Sequence, residues 1–283
     1  MKNGIIVKNI SNQYDCLVDN EIITCRPRGK FRLDKLTPLV GDKVIVNTET
    51  KIIENILERT NELDRPRVSN IDAGIIVTST QIPALSLLLL DKQIVLCESN
   101  DVEPVLIFSK LDLLNSEELK NIKEIMDYYK SIGYKVFSNT EKEEILKYLE
   151  NKTVVLIGQS GAGKSTLINM LDKTKNIETK AVSESLGRGV HTTRNVEIHV
   201  VNKVRIMDTP GFSALDINKI EPEELRHYFI EFSKYPCQFR DCVHKDNCNL
   251  HQAVLDGLVK KERYENYLVI LEECYESRSK LFK

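Results

Sequence analysis

The feature that most constrains the fold of this chain is a glycine-rich turn between an apolar strand and a helix, in residues 154–167, VVLIGQSGAGKSTL. The turn has the spacing G-x-x-x-x-G-K-S. In this pattern backbone N–H groups surround the phosphates of a nucleotide, the lysine reaches the β and γ phosphates, and the serine hydroxyl binds Mg²⁺. We predict phosphate contacts along the whole turn, from Gly158, Gln159, Ser160, Gly161, Ala162, Gly163, Lys164, Ser165 and Thr166.

A second apolar strand with a polar end, VRIMDTPG, follows about 45 residues after the turn. Its D-x-x-G pattern predicts that Asp208 holds the magnesium ion through water and that the N–H of Gly211 meets the γ phosphate. Between the two motifs lies GRGVHTTRN, a polar stretch suited to a switch segment. We expect Thr193, or its neighbour Thr192, to complete the magnesium shell together with Ser165 and Asp208.

The base-reading motif lies upstream of the phosphate turn. Guanine is distinguished by N-K-x-D, whose Asp accepts hydrogen bonds from the ring N–H and the exocyclic amine, which adenine cannot reproduce. Residues 218–221, NKIE, follow the D-x-x-G too closely and without a preceding strand, so we reject them. In VLIFSKLDLL the motif ends an apolar strand, and we predict guanine contacts from Ser109, Lys110, Leu111 and Asp112, with serine replacing the usual asparagine.

Ser138, in the strand end VFSN, is a candidate for the loop behind the guanine. The motifs therefore run in the order base, phosphates, switch and magnesium, which is a rotation of the usual order. Because all of the motifs lie at strand ends of one sheet, they can form one pocket whatever their order along the chain.

Residues 1 to about 62 contain a series of short runs with the pattern of β-strands. Five short runs, GIIVKNI, QYDCLVD, EIITCR, DKVIVNT and KIIENIL, are separated by turns, which predicts a small closed β-barrel of the OB-fold type. The loop RPRGKFR places four basic side chains beside Phe31. This is either a solvated loop with a buried phenylalanine or a loop that grips the phosphates of an oligonucleotide.

After a predicted linker, NELDRPRVSN, strands alternate with helices, and this predicts a mostly parallel sheet covered on both faces. One of these helices is expected to begin with Ser116 as its N-cap and an acidic first turn. From about residue 218 onward the chain is charged and helical. This last part is too small for much core of its own, so we expect it to carry a staple.

Bulk properties exclude few function classes. The 283 residues suggest about two domains, and 40 basic against 42 acidic side chains favour no charged partner. Apolar runs such as residues 87–90 are too short to cross a membrane, and the N-terminus lacks the apolar core of a signal peptide. We therefore expect a cytoplasmic protein with no membrane partner. We also expect a monomer. In a reducing compartment, clustered cysteines indicate metal binding.

The segment CQFRDCVHKDNC predicts the staple. It holds Cys237, Cys242, His244 and Cys248 within twelve residues, a Cys₃His set that suits tetrahedral Zn²⁺. We therefore expect three domains: an OB-fold barrel (1–64), a circularly permuted α/β P-loop GTPase domain (65–217) and a helical zinc-binding domain (218–283).

In this order of parts, and in the segments GQSGAGKST, GRGVHTTR, DTPGF and CQFRDCVHKDNC, the chain resembles the bacterial small-ribosomal-subunit biogenesis GTPase family RsgA, also called YjeQ or YloQ. The resemblance covers nearly the whole chain. It implies a late factor in 30S subunit maturation that binds 16S rRNA through its barrel and zinc segments. It also implies that the subunit stimulates hydrolysis of GTP to GDP, which is coupled to release of the factor.

Phe212 occupies the position at which Ras-like enzymes have the glutamine that orients the attacking water. Phenylalanine cannot form that hydrogen bond, so we expect slow hydrolysis by the free protein. His191, beside the switch threonines, is the candidate for orienting the water, and the family resemblance points to it as well; the alternative is a surface histidine. Two other functions stay open: an ATP-using P-loop protein, and a non-catalytic rRNA-binding module switched by nucleotide.

Overall fold

The computed structural model describes residues 1–33, 36–64, 67–171, 196–208, 219–239, 241–245 and 247–281. Thirteen strands and seven α-helices are used below, numbered in chain order within these ranges. None of the helices in these ranges is long and apolar enough to cross a membrane.

The first strands form the predicted barrel. All five predicted strands are confirmed, as β1 (Lys2–Ile10), β2 (Gln13–Val18), β3 (Glu21–Pro27), β4 (Lys43–Asn47) and β5 (Ile52–Ile56). Pairing of β1 with β4 closes the ring, and alternate residues of the strands fill its interior because side chains alternate between the two faces of a strand. The basic loop contains a four-residue helix, α1 (Lys30–Leu33), that buries Phe31.

The predicted linker at 61–70 is structured, which corrects that expectation. Its residues form a hairpin of β6 (Glu62–Asp64) and β7 (Arg67–Ser69). Asp42 of the barrel is fully buried and accepts hydrogen bonds from Arg59, at 2.7 and 2.8 Å, and from Ser69 Oγ at 2.6 Å. This hydrogen-bonded carboxylate fastens the hairpin to the barrel.

The middle of the chain forms a six-stranded part of the sheet. Its strands are β8 (Ala73–Ser79), β9 (Glu103–Ser109), β10 (Lys135–Ser138), β11 (Thr153–Ile157), β12 (Glu197–Val201) and β13 (Val204–Asp208). They lie in the order β10-β9-β8-β11-β13-β12, and all are parallel except β12. Apolar side chains on both faces, typical of a covered parallel sheet, pack under the helices.

The helices between these strands are α2 (Leu87–Glu98), α3 (Ser116–Ile132), α4 (Lys142–Leu149) and α5 (Lys164–Leu171). The N-cap of α3 is Asn115 and not Ser116, because the Asn115 side chain accepts from the N–H groups of Glu117 and Glu118. Glu118 returns a bond to the Asn115 N–H, which completes a capping box. Helix α4 was not predicted from the sequence. Its amphipathic run is only eight residues long, and no capping side chain marks where it begins.

The barrel continues the central sheet. Strand β1 pairs antiparallel with β12 at Lys8 and Glu197, and an ion pair of 2.7 Å joins these two side chains. The result is an eleven-stranded sheet that runs from β10 to the barrel. Strand β12 is the edge of the six-stranded part, and its contact with β1 protects this edge at Glu197.

The last part of the chain contains two 3₁₀ turns (Leu225–Tyr228 and Ile230–Lys234) and the helices α6 (Asn249–Leu255) and α7 (Lys261–Leu281). In its aromatic core Phe229 stacks on Phe232 and Tyr267 packs edge-on against both, and Val95 of α2 joins the same cluster. This part therefore shares its core with the central region, which explains how so short a segment buries enough apolar surface.

A buried ion network links the same two parts. The guanidinium of Arg263, on α7, donates to Asp91 of α2 and, at 2.8 Å, to Glu231. Asp91 also accepts from Tyr129 at 2.6 Å and from Asn266 at 2.7 Å. All three charged groups are at most 3% exposed, so each depends on its partners to offset its lost hydration.

Beside this network, burial raises the pKa of Glu98 from 4.5 to about 7, against the lowering effects of Arg263 and of a hydrogen bond from Tyr134. The folded protein thus holds this proton more tightly than the unfolded chain, and stability falls as pH rises from 4.5 to 7. We expect Glu98→Gln to raise the free energy of unfolding at pH 8 by about 2 kcal/mol more than at pH 5. Urea denaturation at both pH values checks this, and an equal effect at both would contradict it.

Candidate functional site

The sheet brings the predicted motifs to one edge. Strands β8, β9, β10, β11 and β13 are parallel, and the motifs follow the carboxyl ends of four of them. The phosphate turn follows β11, which lies between β8 and β13. In open α/β sheets ligands bind at this edge. The strand order thus lets a chain with rotated motif order assemble one continuous site.

The phosphate turn has a backbone that requires glycine. Gly158, Gly161 and Gly163 have φ values of +141°, +77° and +101°. A Cβ on Gly158 would lie 2.3 Å from the carbonyl oxygen of Val77 in the neighbouring strand β8. The close packing of the turn against β8 therefore excludes any side chain at position 158.

Lys164 begins helix α5 directly after the turn. Its ammonium donates to the carbonyl oxygens of Gly158, at 2.6 Å, and Gln159, at 2.8 Å. Burial lowers its pKa, because the charged form loses hydration there. The cation is thus held over the turn, beside the backbone N–H groups at the start of the helix, where an anion is favoured. Ser165 and Thr166 follow in the first turn of α5.

The base motif is fastened to the phosphate turn by two contacts. The hydroxyl of Ser109, at the end of β9, donates to the carbonyl oxygen of Ala162 at 2.6 Å. The ammonium of Lys110 donates to the carbonyl oxygen of Gly161 at 2.7 Å, and to that of Ile82. Two segments about 50 residues apart in sequence are therefore joined by direct hydrogen bonds.

Leu111 and Asp112 follow in a short 3₁₀ turn, Leu111–Leu113, where Asp112 is exposed. The Ser138 loop lies at the end of the adjacent strand β10 and is internally hydrogen-bonded: the Ser138 N–H donates to Glu141 at 2.5 Å, and the Thr140 N–H donates to Ser138 Oγ. Both segments stand at the edge that holds the phosphate turn.

Some predicted residues lie outside the described ranges. These are His191, Thr192, Thr193 and Gly211. Asp208 is the last residue of β13, which pairs directly with β11, so its backbone is next to the strand that carries the phosphate turn. The roles of all five stay predictions.

The four metal-binding candidates of the last segment converge. The possible ligand atoms of Cys237, Cys242, His244 and Cys248 all lie within 4.8 Å of one another. His244 Nδ1 is 3.1, 3.6 and 3.5 Å from the three sulfurs. Tetrahedral Zn²⁺ bonded to sulfur at about 2.3 Å and to nitrogen at about 2.0 Å places such atoms about 3.6 Å apart. The cluster has the size and the donor set for one such ion.

The protonation states also suit a metal. Burial, with the nearby Arg226 and His227, lowers the pKa of His244 to about 4, so its ring is neutral and can coordinate. Burial and the neighbouring thiols raise the pKa of Cys237 to about 11, and a divalent cation is the charge that converts such thiols to thiolates.

Helix α7 fixes the loop that carries this cluster. The Tyr264 hydroxyl donates to the carbonyl oxygens of His244 and Lys245, at 2.7 and 2.6 Å, and the Tyr267 hydroxyl donates to that of Val243 at 2.7 Å. Sequence reasoning missed these tyrosines. The available signal was their spacing on a helix that follows the cluster, which places both on one face.

Comparison with known proteins agrees with this architecture. The RsgA GTPase family model matches residues 56–218, and the RsgA N-terminal domain model matches residues 3–52. The chain is 41% identical to the small ribosomal subunit biogenesis GTPase RsgA of Halalkalibacterium halodurans, with 100% of both chains covered. It is 43% identical to RsgA 2 of Oceanobacillus iheyensis, also named a small ribosomal subunit biogenesis GTPase, with 96% of this chain and 97% of that protein covered.

Two solved structures are similar. One is the crystal structure of YjeQ from Thermotoga maritima, with a TM-score of 0.83, 36% identity, and 97% of this chain and 98% of that chain covered. The other is YloQ, described as a circularly permuted GTPase, with a TM-score of 0.83, 34% identity, and coverage of 98% and 96%. The predicted fold class, with its barrel and rotated motif order, is confirmed. The chain belongs to the RsgA family and is a GTPase.

Proposed function

We propose that this protein acts in biogenesis of the small ribosomal subunit. It binds the 30S subunit through 16S rRNA, hydrolyses GTP to GDP and phosphate, and leaves the subunit after hydrolysis. The observation that carries the nucleotide part is the pair of hydrogen bonds from Ser109 and Lys110 to the phosphate turn. The subunit part follows from the names of the relatives, which are small ribosomal subunit biogenesis GTPases.

In this proposal the phosphate turn, residues 158–166, binds the phosphates. When a nucleotide binds, the ammonium of Lys164 exchanges its hydrogen bonds to the carbonyl oxygens of Gly158 and Gln159 for contacts with the β and γ phosphates. The oxygen donors Ser165, Thr193 and Asp208 suit Mg²⁺, which prefers oxygen ligands. Magnesium neutralises charge on the phosphates during cleavage, and the Gly211 N–H meets the γ phosphate.

The base lies beside the 3₁₀ turn that follows β9. Asp112 is exposed at the same edge as the phosphate turn and accepts hydrogen bonds from the ring N–H and amine of guanine. The stem of Lys110 flanks the base, and Leu111 separates the two. The serine at position 109 keeps the contact to the phosphate turn, so its replacement of asparagine leaves the pocket assembled.

His191 orients the attacking water in this proposal, since Phe212 cannot. We expect His191→Ala protein to keep its affinity for GTP. On the subunit it should cleave GTP ~10²-fold more slowly than the wild type, as is usual for a lost acid–base or positioning group. Single-turnover cleavage of GTP by subunit-bound protein measures this. A variant that binds subunits and cleaves at the wild-type rate would remove His191 from the mechanism, and Lys164→Ala serves as a control that loses nucleotide binding as well.

The Cys₃His cluster binds one structural Zn²⁺ in this proposal. We expect about one zinc per chain by elemental analysis. Cys242→Ser should lower that content by at least about half and speed amide hydrogen exchange in residues 219–281, because the loop loses its cross-link. Cys274→Ser is the matched control, since Cys274 is a buried cysteine of the same segment outside the cluster. Zinc-free wild-type protein purified without chelator would refute the site.

In this proposal the chain has three domains with separate functions: an RNA-binding barrel (1–64), the GTPase domain (65–217) and the zinc-binding domain (218–283). The exposed basic side chains of Arg26, Arg28 and Lys30 lie on the barrel, where they can reach RNA phosphates. Sedimentation with purified 30S subunits tests this. We expect co-sedimentation with a non-hydrolysable GTP analogue and much less with GDP, and equal amounts with both nucleotides would contradict release after hydrolysis.

A further inference from the structure

The base motif of this chain has fewer hydrogen-bond donors than the usual one. An asparagine side chain supplies two N–H donors, whereas the hydroxyl of a serine supplies one. Ser109 uses its single O–H on the carbonyl oxygen of Ala162, at 2.6 Å. An asparagine in its place could make that contact and still offer a second donor to the base.

Guanine needs such a donor. Its N7 and O6 atoms accept hydrogen bonds. Asp112, on the proposed function from which this inference starts, is an acceptor and serves the ring N–H and the amine instead. A protein donor to the edge of the base that carries N7 would therefore come from another residue.

The Ser138 loop has its backbone donors engaged. The N–H groups of Ser138 and Asn139 donate to Glu141 and to the carbonyl oxygen of Phe108, the latter at 2.9 Å. Those of Thr140 and Glu141 donate to Ser138, through its hydroxyl and its carbonyl oxygen. A donor for N7 from this backbone would have to break one of these bonds.

Ser79 has an unused donor next to Ser109. It is the last residue of β8 and lies directly opposite Ser109 in the parallel pairing of β8 with β9. Its side chain is 3% exposed, and its Oγ has no hydrogen-bond partner among the residues that the structure describes. A buried hydroxyl without a partner carries an unfavourable desolvation free energy, so its presence calls for a reason.

The placement of Ser79 points to the nucleotide site. Side chains two apart on a strand share a face, so Ser79 lies on the face of Val77, which packs in one cluster with Ala162 and Leu167 of the phosphate turn and its helix. Paired residues on neighbouring strands also share a face, and Ser–Ser or Thr–Ser hydrogen bonds form across such pairs. Ser79 and Ser109 can therefore exchange a hydrogen bond after one rotamer change.

We propose that Ser79 and Ser109 act as a pair of hydroxyls that does the work of one asparagine. One hydroxyl holds the carbonyl oxygen of Ala162, and the other donates to N7 of the bound purine. Ser79 thus belongs to the base site in this proposal. Because adenine also has N7, the pair strengthens purine binding in general, while the choice of guanine rests on Asp112.

The test is displacement of a ribose-labelled GDP by GTP and by 7-deaza-GTP, in which a C–H replaces N7. We expect wild-type protein to bind GTP about tenfold more tightly than 7-deaza-GTP, as for one neutral hydrogen bond. Ser79→Ala should weaken GTP binding by about the same factor and leave 7-deaza-GTP binding unchanged. Thr78→Val is the matched control, because it removes a hydroxyl from the opposite face of the same strand.

A second variant supplies a rescue. In Ser109→Asn protein the amide provides both donors, so adding Ser79→Ala should change GTP binding less than twofold. Equal weakening of GTP and 7-deaza-GTP by Ser79→Ala, or wild-type protein that binds both alike, would overturn the inference. The proposed function fails separately, if wild-type protein shows no preference for GTP over ATP.

Discussion

Asp112→Asn is expected to turn a guanine site into a xanthine site. In the proposed site the carboxylate accepts two hydrogen bonds from guanine, whereas an asparagine amide presents a donor where xanthine has a carbonyl oxygen. Sites built to hydrogen-bond a ligand reject a mismatched one by about 10⁴-fold, because buried polar groups are left unpaired. We expect the preference for GTP over XTP to fall by about 10³-fold or more, measured by competition binding with both nucleotides.

Asp127→Asn is the matched control for this prediction. Asp127 is an exposed aspartate on α3, the helix that follows the base motif. Its replacement changes the net charge by the same amount without touching the strand end. If Asp112→Asn protein retained the full preference for GTP, the base motif would have to lie elsewhere, and the downstream sequence at 218–221 would need to be reconsidered.

Arg263→Ala is expected to destabilise the fold more than any surface change. Removal of the guanidinium leaves Asp91 and Glu231 buried without a counter-charge, and such losses amount to about 3–5 kcal/mol. The ring of Phe229, 4.3 Å from the guanidinium carbon, also loses its cation contact. We expect this reduction in the free energy of unfolding by urea denaturation, with α7 separating from α2 first.

Arg278→Ala is the control on the same helix, since Arg278 pairs with Glu223 at the surface. We expect its effect to stay within about 1 kcal/mol. Replacing the whole network by apolar residues, as Arg263→Met with Asp91→Leu and Glu231→Met, should recover much of the loss, because no unpaired charge remains. If Arg263→Ala were as stable as the wild type, the network would not hold the two regions together.

The residues that sequence reasoning located correctly are those whose signal is local. The phosphate turn carries its own glycines, strand and helix within fourteen residues, and the four residues of the Cys₃His cluster, which the structure brings together, lie within twelve. The five barrel strands alternate visibly between turns. Each of these follows from spacing along the chain, so one sequence was enough to predict it.

Features that depend on distant residues were not predicted. Asp91 and Arg263 are 172 residues apart and each appears unremarkable on its own helix. The hairpin of β6 and β7 is stabilised by Asp42 of the barrel, and its Arg-Pro sequence is more typical of a linker. The choice of Asn115 over Ser116 as N-cap depends on a one-residue shift in which both residues are good caps.

The hydroxyl of Ser79, which has no hydrogen-bond partner in the part of the chain that the structure describes, is a further feature that the local sequence does not reveal. The sequence alone shows that Ser109 departs from the usual base motif, because Ser109 occupies the position of the asparagine in N-K-x-D. The pairing of β8 with β9 shows that another serine lies opposite it, and the described residues offer that serine no hydrogen-bond partner. Compensation between neighbouring strands is a property of the sheet and leaves no local signal.

The most direct measurement is phosphate release from GTP by the wild-type protein, alone and with purified 30S subunits, at multiple turnover and with ATP in parallel. We predict slow release from GTP by the free protein, an increase of ~10²-fold with subunits, and no subunit-stimulated release from ATP. The same low rate with and without subunits, or equal release from ATP, would contradict the proposal that this chain is a GTPase driven by the small ribosomal subunit.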